Sequence, residues 1–318
     1  MKDGKYTISE FASLLGVSKA VLYKWEREGK IEKAKREKRG QTMYRYYNAE
    51  DLRDVRTTLN LPTPTTRRRK QLFLNFKGGT GKSVISANYG YKLALNGFKV
   101  LMVDLDPQGH LTKCLGINPE KFSKTLFDVI INKDPIESTL ASTNLPTLEI
   151  IPANLLLSPI ELSLTSLHAR EFKLKRALEG IEDNYDMIVL DAPPNIGLLN
   201  LNAILAVDEI LVPVLADFLS YDGLKILFET LRNIEDDFDF VLDNIFIFIN
   251  RFNESMNISI RSRDAIRKNY AEYVCETVVR QNTTLSDATA QGKSIFEISP
   301  NSRAAHDINK LVNEVNGL

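Results

Sequence analysis

A glycine-rich run between two lysines, K-G-G-T-G-K-S, fills residues 77–83 and could bind phosphate groups. Glycine lets the backbone curl, so that several N–H groups can point at one anion. A short apolar run precedes these residues and helix-forming sequence follows them, which predicts a strand, a turn and the N-terminus of a helix. In that setting Lys82 would reach the outer phosphates and the Ser83 hydroxyl would bind Mg²⁺.

The loop departs from the ordinary formula, G-x-x-x-x-G-K-[ST], because Phe76 stands where the first glycine is needed and Lys77 heads the loop. This form resembles the deviant Walker A motif of the ParA/MinD family of ATPases. The resemblance implies an ATP-sandwiched homodimer in which Lys77 reaches the partner's nucleotide, and catalytic roles for Lys77 and Lys82. The open alternative is a glycine-rich turn with a solvated lysine. The predicted nucleotide contacts are Gly78, Gly79, Thr80, Gly81, Lys82, Ser83 and Val84.

Two further apolar runs end in aspartate. Residues 100–103 lead into D-L-D-P-Q-G, which begins at Asp104, and residues 187–190 lead into Asp191. Carboxylates beside a phosphate loop stand where Mg²⁺ or an attacking water would sit. The D-x-D-P-Q-G stretch resembles that of ParA-type ATPases, which implies that Asp104 orients the hydrolytic water. Ser83, Asp104 and Asp191 are therefore the predicted metal-binding residues, although each aspartate could be a solvated carboxylate at a strand end.

Motifs nearer the C-terminus extend the resemblance over residues 71–317. Asn250 ends an apolar run, and its amide could donate to and accept from the edge of adenine; a turn-forming asparagine is the alternative. Residues 278–282, 285–288 and 292–295 resemble the ParA patterns I-P-R-N, L-S-E-A and G-K-S-I. That likeness implies sequence-independent DNA binding through basic residues here, with Arg280 as the first candidate and Lys293 and Arg303 next.

The first 60 residues have a different character. Helical spacing over residues 8–15, a glycine turn and Ser18 as the N-cap of a second helix indicate a helix-turn-helix. With the basic segment 33–39, the order and spacing resemble a MerR-type winged helix-turn-helix. The alternative is a basic docking or dimerisation module. The resemblance implies that the following residues contact the major groove, DNA phosphates or, through the wing, the flanking DNA: Ser18, Lys19, Tyr23, Lys24 and Arg45.

The elements that must position the phosphate loop follow from the pattern after residue 70. Short, continuous apolar runs alternate with helical patterns, which is typical of strands buried on both faces of a parallel sheet. The predicted fold is a doubly wound, mostly parallel α/β P-loop domain with a small N-terminal winged helix-turn-helix domain. The predicted boundaries are residues 1–60 for the small domain, 61–70 for a Pro/Thr/Arg linker and 71–318 for the ATPase domain.

Composition narrows the function classes. The 318 residues carry no net charge, but residues 1–70 hold 18 Lys/Arg against 9 Asp/Glu, whereas the remainder holds 23 against 32. A basic front end predicts a nucleic-acid partner. Two cysteines, with no C-x-x-C pair, suit a reducing cytoplasm and predict no iron–sulfur site. Because no apolar run reaches the ~18 residues of a membrane helix and the chain's end lacks a basic amphipathic helix, no membrane role is expected.

Together these observations predict a cytoplasmic, nucleoid-associated DNA-partition ATPase that uses ATP and Mg²⁺. In this hypothesis ATP closes a homodimer on DNA, a ParB-like centromere-binding protein stimulates hydrolysis, and the N-terminal domain binds a specific site or regulates its own operon. Two alternatives stay open: a nucleotide-gated transcription regulator, and a ParA-like ATPase that positions a protein cargo.

Overall fold

A computed structural model describes residues 4–61, 67–217 and 219–318. Its strands are β1 (Lys5–Thr7), β2 (Lys35–Arg39), β3 (Thr42–Asn48), β4 (Arg69–Phe73), β5 (Val100–Asp104), β6 (Ala141–Ser142), β7 (Leu148–Ile151), β8 (Met187–Asp191), β9 (Glu209–Leu215), β10 (Asn244–Phe252) and β11 (Val274–Arg280). Its α-helices are α1 (Ile8–Leu14), α2 (Lys19–Arg27), α3 (Ala49–Thr58), α4 (Lys82–Leu95), α5 (His110–Cys114), α6 (Leu126–Ile130), α7 (Ile160–Leu164), α8 (Lys173–Glu179), α9 (Leu198–Leu205), α10 (Leu219–Phe238), α11 (Asn257–Asn269), α12 (Thr283–Ala290), α13 (Ile295–Ile298) and α14 (Arg303–Asn316). Single turns of 3-10 helix lie at Pro119–Lys121, Ile136–Thr139, Leu155–Leu157, Arg170–Phe172 and Glu182–Asn184.

The N-terminal strands form an antiparallel sheet in the order β1-β3-β2, and α1, α2 and α3 pack against it. Thr7 and Glu10 form a capping box that starts α1, and the Ser18 hydroxyl accepts the N–H of Val21 to start α2. The β2–β3 hairpin provides the wing expected from the basic segment. The predicted winged helix-turn-helix architecture is confirmed in the described residues.

The second sheet, in the part of the chain described, has eight strands in the order β11-β10-β9-β4-β8-β5-β7-β6. Neighbouring strands run parallel except for β6, which is antiparallel to β7. Every residue of β5 and β8 is buried, as expected for strands covered by helices on both faces. The predicted doubly wound, mostly parallel α/β fold is therefore confirmed.

Two strands of this sheet lack the continuous apolar run from which the other strands could be predicted. β6 has only two residues, and β11 lies at the sheet edge, where exposed Glu276 interrupts its apolar residues. Edge strands are covered less completely than central ones, so their sequences carry less hydrophobic signal.

The basic end of the predicted linker belongs to the larger domain. Residues 62–66 lie outside the described residues, and β4 begins at Arg69, two residues before the predicted domain start. Each of the four basic residues at positions 67–70 contacts a carboxylate of the larger domain, in the pairs Arg67–Asp243, Arg68–Asp183, Arg69–Glu209 and Lys70–Glu182.

The two domains pack together at the C-terminal end of α4. The Tyr6 hydroxyl donates to the carbonyl of Leu95, and the Arg56 guanidinium donates to the carbonyl of Asn96 at 3.1 Å. Gly97 has φ +89°, and a Cβ there would lie 2.9 Å from the Leu52 side chain, so the chain approaches too closely for a larger residue. One apolar cluster continues across this contact. The helix that begins at the glycine-rich loop thus ends against the N-terminal domain.

Candidate functional site

The glycine-rich loop connects the end of β4 to the N-terminus of α4. Gly81 is the N-cap of α4 and has φ +88°, and a Cβ at this position would lie 2.3 Å from Nδ2 of Asn250. Only glycine fits both conditions. A cavity of about 650 Å³ opens over the loop, and its wall includes all of the predicted nucleotide contacts on the loop and α4. A helix N-terminus and a curled loop beside a cavity form a site for an anion.

The cavity continues toward α12. A second hollow of about 510 Å³ shares Gly79, Gly81 and Val84 with the first, and its far wall includes Asn250 and residues 280–283. The two hollows make one cleft along the carboxyl edge of the sheet. In α/β sheets of this kind, ligands bind at that edge.

Lys82 lies inside the loop and is only 6% exposed. Its Nζ donates to the carbonyl of Asn75 at 2.9 Å. Burial lowers the pKa of Lys82, and the carboxylates of Asp191 and Asp106 act in the opposite direction. The ammonium group is thus held at the cavity wall by backbone oxygens that a phosphate could replace.

Lys77 contacts its own chain. Its Nζ lies 3.1 Å from Oδ2 of Asp217, and its backbone N–H donates to Oδ1 of Asn75 at 2.9 Å. Asp217 also accepts the N–H and hydroxyl of Ser220, each at 2.8 Å. Burial opposes ionisation of Asp217, but these hydrogen bonds lower its pKa overall. Sequence reasoning missed Asp217, because a lone aspartate after a strand carries no motif.

Asp191 is fully buried at the end of β8, beside the last residue of β5. Among the described residues neither of its oxygens makes a hydrogen bond of normal geometry, although the hydroxyls of Ser83 and Ser86 lie near enough to lower its pKa. Burial outweighs them and raises that pKa, and Asp104 adds to the rise. A buried carboxylate without a hydrogen-bond donor costs free energy unless a cation compensates. The pair Ser83 and Asp191 therefore fits the oxygen ligands that Mg²⁺ prefers.

The two aspartates of the D-x-D motif differ sharply. Asp104 is fully buried; its Oδ1 accepts the N–H of Asp106, and its Oδ2 accepts the N–H and hydroxyl of Thr112 at 2.9 and 2.7 Å. Burial raises the pKa of Asp104 to about 6. Asp106, in contrast, lines the cavity. The prediction that Asp104 binds metal and orients water is not supported, because its carboxylate holds the turn after β5 and the cavity-facing group is Asp106.

Asn250 supports the loop from the side. Its Nδ2 donates to the carbonyl of Thr80 at 2.7 Å, and its Oδ1 accepts the N–H of Arg251 at 2.9 Å. The amide is 4% exposed and contacts Gly81 closely. These contacts favour a role in bracing the glycine-rich loop over the predicted reading of an adenine edge.

The predicted DNA contacts of the N-terminal domain divide into two groups. Ser18, the N-cap of α2, and the helix residues Lys19, Tyr23 and Lys24 are all exposed. Arg45 is not a free wing residue, because its Nη2 donates to Oε1 of Glu26 at 2.6 Å and only 8% of Glu26 is exposed. This pair joins β3 to α2, and the DNA contact of Arg45 stays a prediction.

Arg280 also forms an ion pair within the chain. Its Nε and Nη2 donate to the two oxygens of Asp307 at 3.0 and 2.6 Å, and Asp307 is 3% exposed. This bidentate pair joins β11 to α14 and neutralises the guanidinium. That Arg280 leads the DNA contacts stays a prediction. Lys293 is exposed and has no ion-pair partner among the residues described.

Comparisons with known proteins agree with this architecture. A family model described as "AAA domain" matches residues 69–244, and one described as "MerR HTH family regulatory protein" matches residues 6–61. The chain is 44% identical to cell division protein PomZ of Myxococcus xanthus over 269 residues, 85% of this chain and 84% of that protein. It is 34% identical to the sporulation initiation inhibitor protein Soj of Bacillus subtilis over 241 residues, 76% of this chain and 95% of Soj.

One solved structure adds a ligand to the comparison. Cobyrinic acid a,c-diamide synthase from Mycobacterium smegmatis, with bound ADP and magnesium, superposes with a TM-score of 0.66 and 25% identity, covering 78% of this chain and 94% of that one. Separately, no helix within the described ranges combines the length and apolarity needed to cross a bilayer.

We expect Asp191→Asn to reduce the pH dependence of stability of the nucleotide-free chain. Burial raises the folded-state pKa of Asp191 above its ordinary 3.8, so the folded chain retains a proton that the unfolded chain releases. The contribution of Asp191 to the free energy of unfolding therefore falls as the pH rises above about 4, and a neutral amide cannot contribute this slope.

The measurement is urea unfolding without Mg²⁺ between about pH 5 and pH 8. The exposed Asp54→Asn serves as the control for loss of one carboxylate. Equal slopes for Asp191→Asn and the wild type would contradict the raised pKa of the buried carboxylate.

Proposed function

Because the chain belongs to the ParA/MinD family of P-loop ATPases, we propose that its ATP-bound dimer holds DNA and that hydrolysis of ATP releases it. At the coarser level the chain is a ParA-type positioning or partition ATPase with a MerR-like N-terminal domain. The observation that carries the finer proposal is the cleft lined by the glycine-rich loop and Lys82, with the buried carboxyl of Asp191 behind it beside Ser83 and Lys82.

In this proposal the chain's own groups bind and orient Mg-ATP. The loop N–H groups receive phosphate oxygens, and Lys82 exchanges the Asn75 carbonyl for a phosphate. Ser83 and Asp191 hold the metal, whose charge compensates the buried carboxylate. Bound Mg-ATP would supply the phosphoryl group to be transferred, and the Mg²⁺ and Lys82 would neutralise the negative charge that develops on it.

We assign orientation of the attacking water to Asp106 in place of Asp104. Asp106 faces the cleft, and its Oδ1 accepts the N–H of Gln108 at 2.9 Å, which fixes the carboxylate beside the loop. A carboxylate in this place can accept a hydrogen bond from a water molecule. It thereby orients the lone pair of the water oxygen toward the transferred phosphoryl group. Asp104 positions Asp106 through the turn that it stabilises.

Dimer formation in this proposal depends on Lys77. In the single chain Lys77 pairs with Asp217, and on ATP binding it would leave that carboxylate for the nucleotide of the partner subunit. Both groups are partly exposed, at 32% and 40%, so their pairing costs little to break. The switch would make dimerisation conditional on ATP.

Two DNA-binding surfaces follow. The exposed face of α2, with Ser18, Lys19, Tyr23 and Lys24, would read a specific site in the major groove. Lys293 would contribute to sequence-independent phosphate contacts on the ATPase domain. A ParB-like protein would stimulate hydrolysis, and the chain would be cytoplasmic and associated with the nucleoid.

Positioning of a protein cargo is a second candidate function. It is favoured by the 44% identity to PomZ, which is described as a cell division protein. Both functions use the same ATP-dependent dimer on DNA, and they differ in the partner that stimulates hydrolysis.

We expect Asp106→Ala to bind ATP with nearly unchanged affinity but to hydrolyse it at least ~100-fold more slowly, because the water loses its orienting carboxylate. The measurement is phosphate release under single-turnover conditions, with nucleotide affinity determined in parallel. Asp104→Asn is the matched variant, and we expect it to lower the unfolding temperature while the folded fraction still hydrolyses ATP. Wild-type hydrolysis by Asp106→Ala would contradict the assignment.

Charge reversal separates the two DNA surfaces. We expect Lys293→Glu to weaken ATP-dependent binding to random-sequence duplex DNA, and Lys19→Glu to weaken binding only to sequences selected by the full chain from genomic fragments. Reversal of the exposed Lys121 serves as the control. If the wild type with ATP shows no affinity for random DNA yet binds one selected sequence tightly, the alternative of a nucleotide-gated transcription regulator replaces partition.

A further inference from the structure

We propose that the chain has a second anion site, distinct from the glycine-rich loop, which takes a small phosphorylated ligand between the N-terminal domain and α14. The site is a cleft of about 510 Å³, within the size range of small-ligand pockets. Its wall includes Glu10 of α1, Lys92 of α4, and Ser302, Arg303 and His306 at the start of α14. No family or relative described above assigns a ligand to this place.

Lys92 is the first observation. It lies in the last turn of α4, lines the cleft and is only 7% exposed. Its Nζ has no hydrogen-bond or ion-pair acceptor among the described residues, and its ring contact is with Phe296, 5.7 Å from the centroid. A ring face attracts the charge but does not accept three N–H donors, and burial lowers the pKa of Lys92 to about 8. Burying an ammonium group whose N–H donors have no acceptor costs folding free energy unless an anion or a water molecule contacts it.

The N-terminus of α14 is the second, independent observation. This helix has 14 residues and no acidic residue in its first turn, and its first residue is the cation Arg303. The positive end of a helix disfavours a cation there and favours an anion. The Ser302 hydroxyl accepts the N–H of Ala305, so other N–H groups of the first turn stay available to a ligand.

The charges facing the cleft leave room for a negative ligand. Arg280 also lines it, but its charge is balanced by Asp307 and by Glu254. Glu10 is the acid on the opposite wall, and its Oε2 accepts the N–H of Thr7 at 2.8 Å as part of a capping box. Among the described residues neither Lys92 nor Arg303 forms an ion pair within 4 Å, although the nearby charge of Glu10 acts to raise the pKa of Lys92 and so offsets part of the effect of burial.

The chemistry points to phosphate. A helix N-terminus, a guanidinium and an ammonium that converge on one cleft are the groups that bind phosphate oxygens in proteins. Such a ligand would join α4 and α14 beside α1, at the contact between the two domains. It would consequently stabilise the docking of the N-terminal domain on the helix that begins at the glycine-rich loop.

The test uses the full chain saturated with Mg-ADP, so that the glycine-rich loop is occupied, and inorganic phosphate as the probe. Phosphorus NMR line width, titrated with protein, gives the dissociation constant. We expect binding by the wild type, at least ~10-fold weaker binding by Lys92→Met, and several-fold weaker binding by Arg303→Gln. The exposed Lys121→Met is the control and should bind as the wild type does.

Further arms keep the result decisive. Lys82→Ala should retain phosphate binding, because its lysine belongs to the other site; loss of binding in that variant would place the phosphate in the glycine-rich loop and overturn the proposal. No binding by the wild type, or equal binding by Lys92→Met and Arg303→Gln, would also overturn it. Because Arg303 is exposed, we expect Arg303→Gln to fold. Its phosphate affinity therefore tests the proposal if Lys92→Met does not fold. Competition by duplex DNA would show that the cleft takes backbone phosphates instead of a small ligand.

Discussion

The buried ionisable groups of Lys82 and Asp191 at the carboxyl edge of the sheet are the constraint on which the rest of the site depends. Both side chains have been removed from water, and neither is fully compensated within the chain. Carbonyl oxygens hold the ammonium, whereas the carboxylate lacks a normal hydrogen bond. Burying such groups lowers the stability of the folded protein. They are retained where a bound ligand supplies the missing charge or hydrogen bonds. Two asparagines fix the glycine-rich loop beside these groups. Asn250 donates a hydrogen bond to the carbonyl of Thr80, and Asn75 accepts the backbone N–H of Lys77.

Helix α4 connects that site to the rest of the molecule. Its 14 residues span about 21 Å at ~1.5 Å per residue, from the phosphate loop to the contact with the N-terminal domain. Tyr6, Leu52 and Arg56 all meet the end of this helix or the turn after it. A displacement of α4 on nucleotide binding would therefore move the surface on which the N-terminal domain rests. The same geometry explains why the two domains share one apolar cluster.

Much of the fold could be predicted because strands buried on both faces of a parallel sheet appear in the sequence as continuous apolar runs. The phosphate loop could be recognised because a predicted strand precedes it and a predicted helix follows it. The details that the sequence leaves open depend on contacts between distant residues. Asp104 and Asp106 are separated by one residue, and only the turn after β5 decides which carboxylate faces the cleft. Arg45 and Arg280 read as surface cations, yet buried acids 19 and 27 positions away in the chain bind them. No local pattern contains that information.

If ATP closes a dimer through Lys77, the mass of the particle in solution must depend both on the nucleotide and on this lysine. Light scattering with Mg²⁺ and a non-hydrolysable ATP analogue should give twice the 36.0 kDa chain mass for the wild type and the single-chain mass for Lys77→Ala. Nucleotide affinity measured on the same samples should remain similar in the two proteins, since Lys82 and the loop are intact. A dimer of Lys77→Ala as stable as that of the wild type would contradict the account.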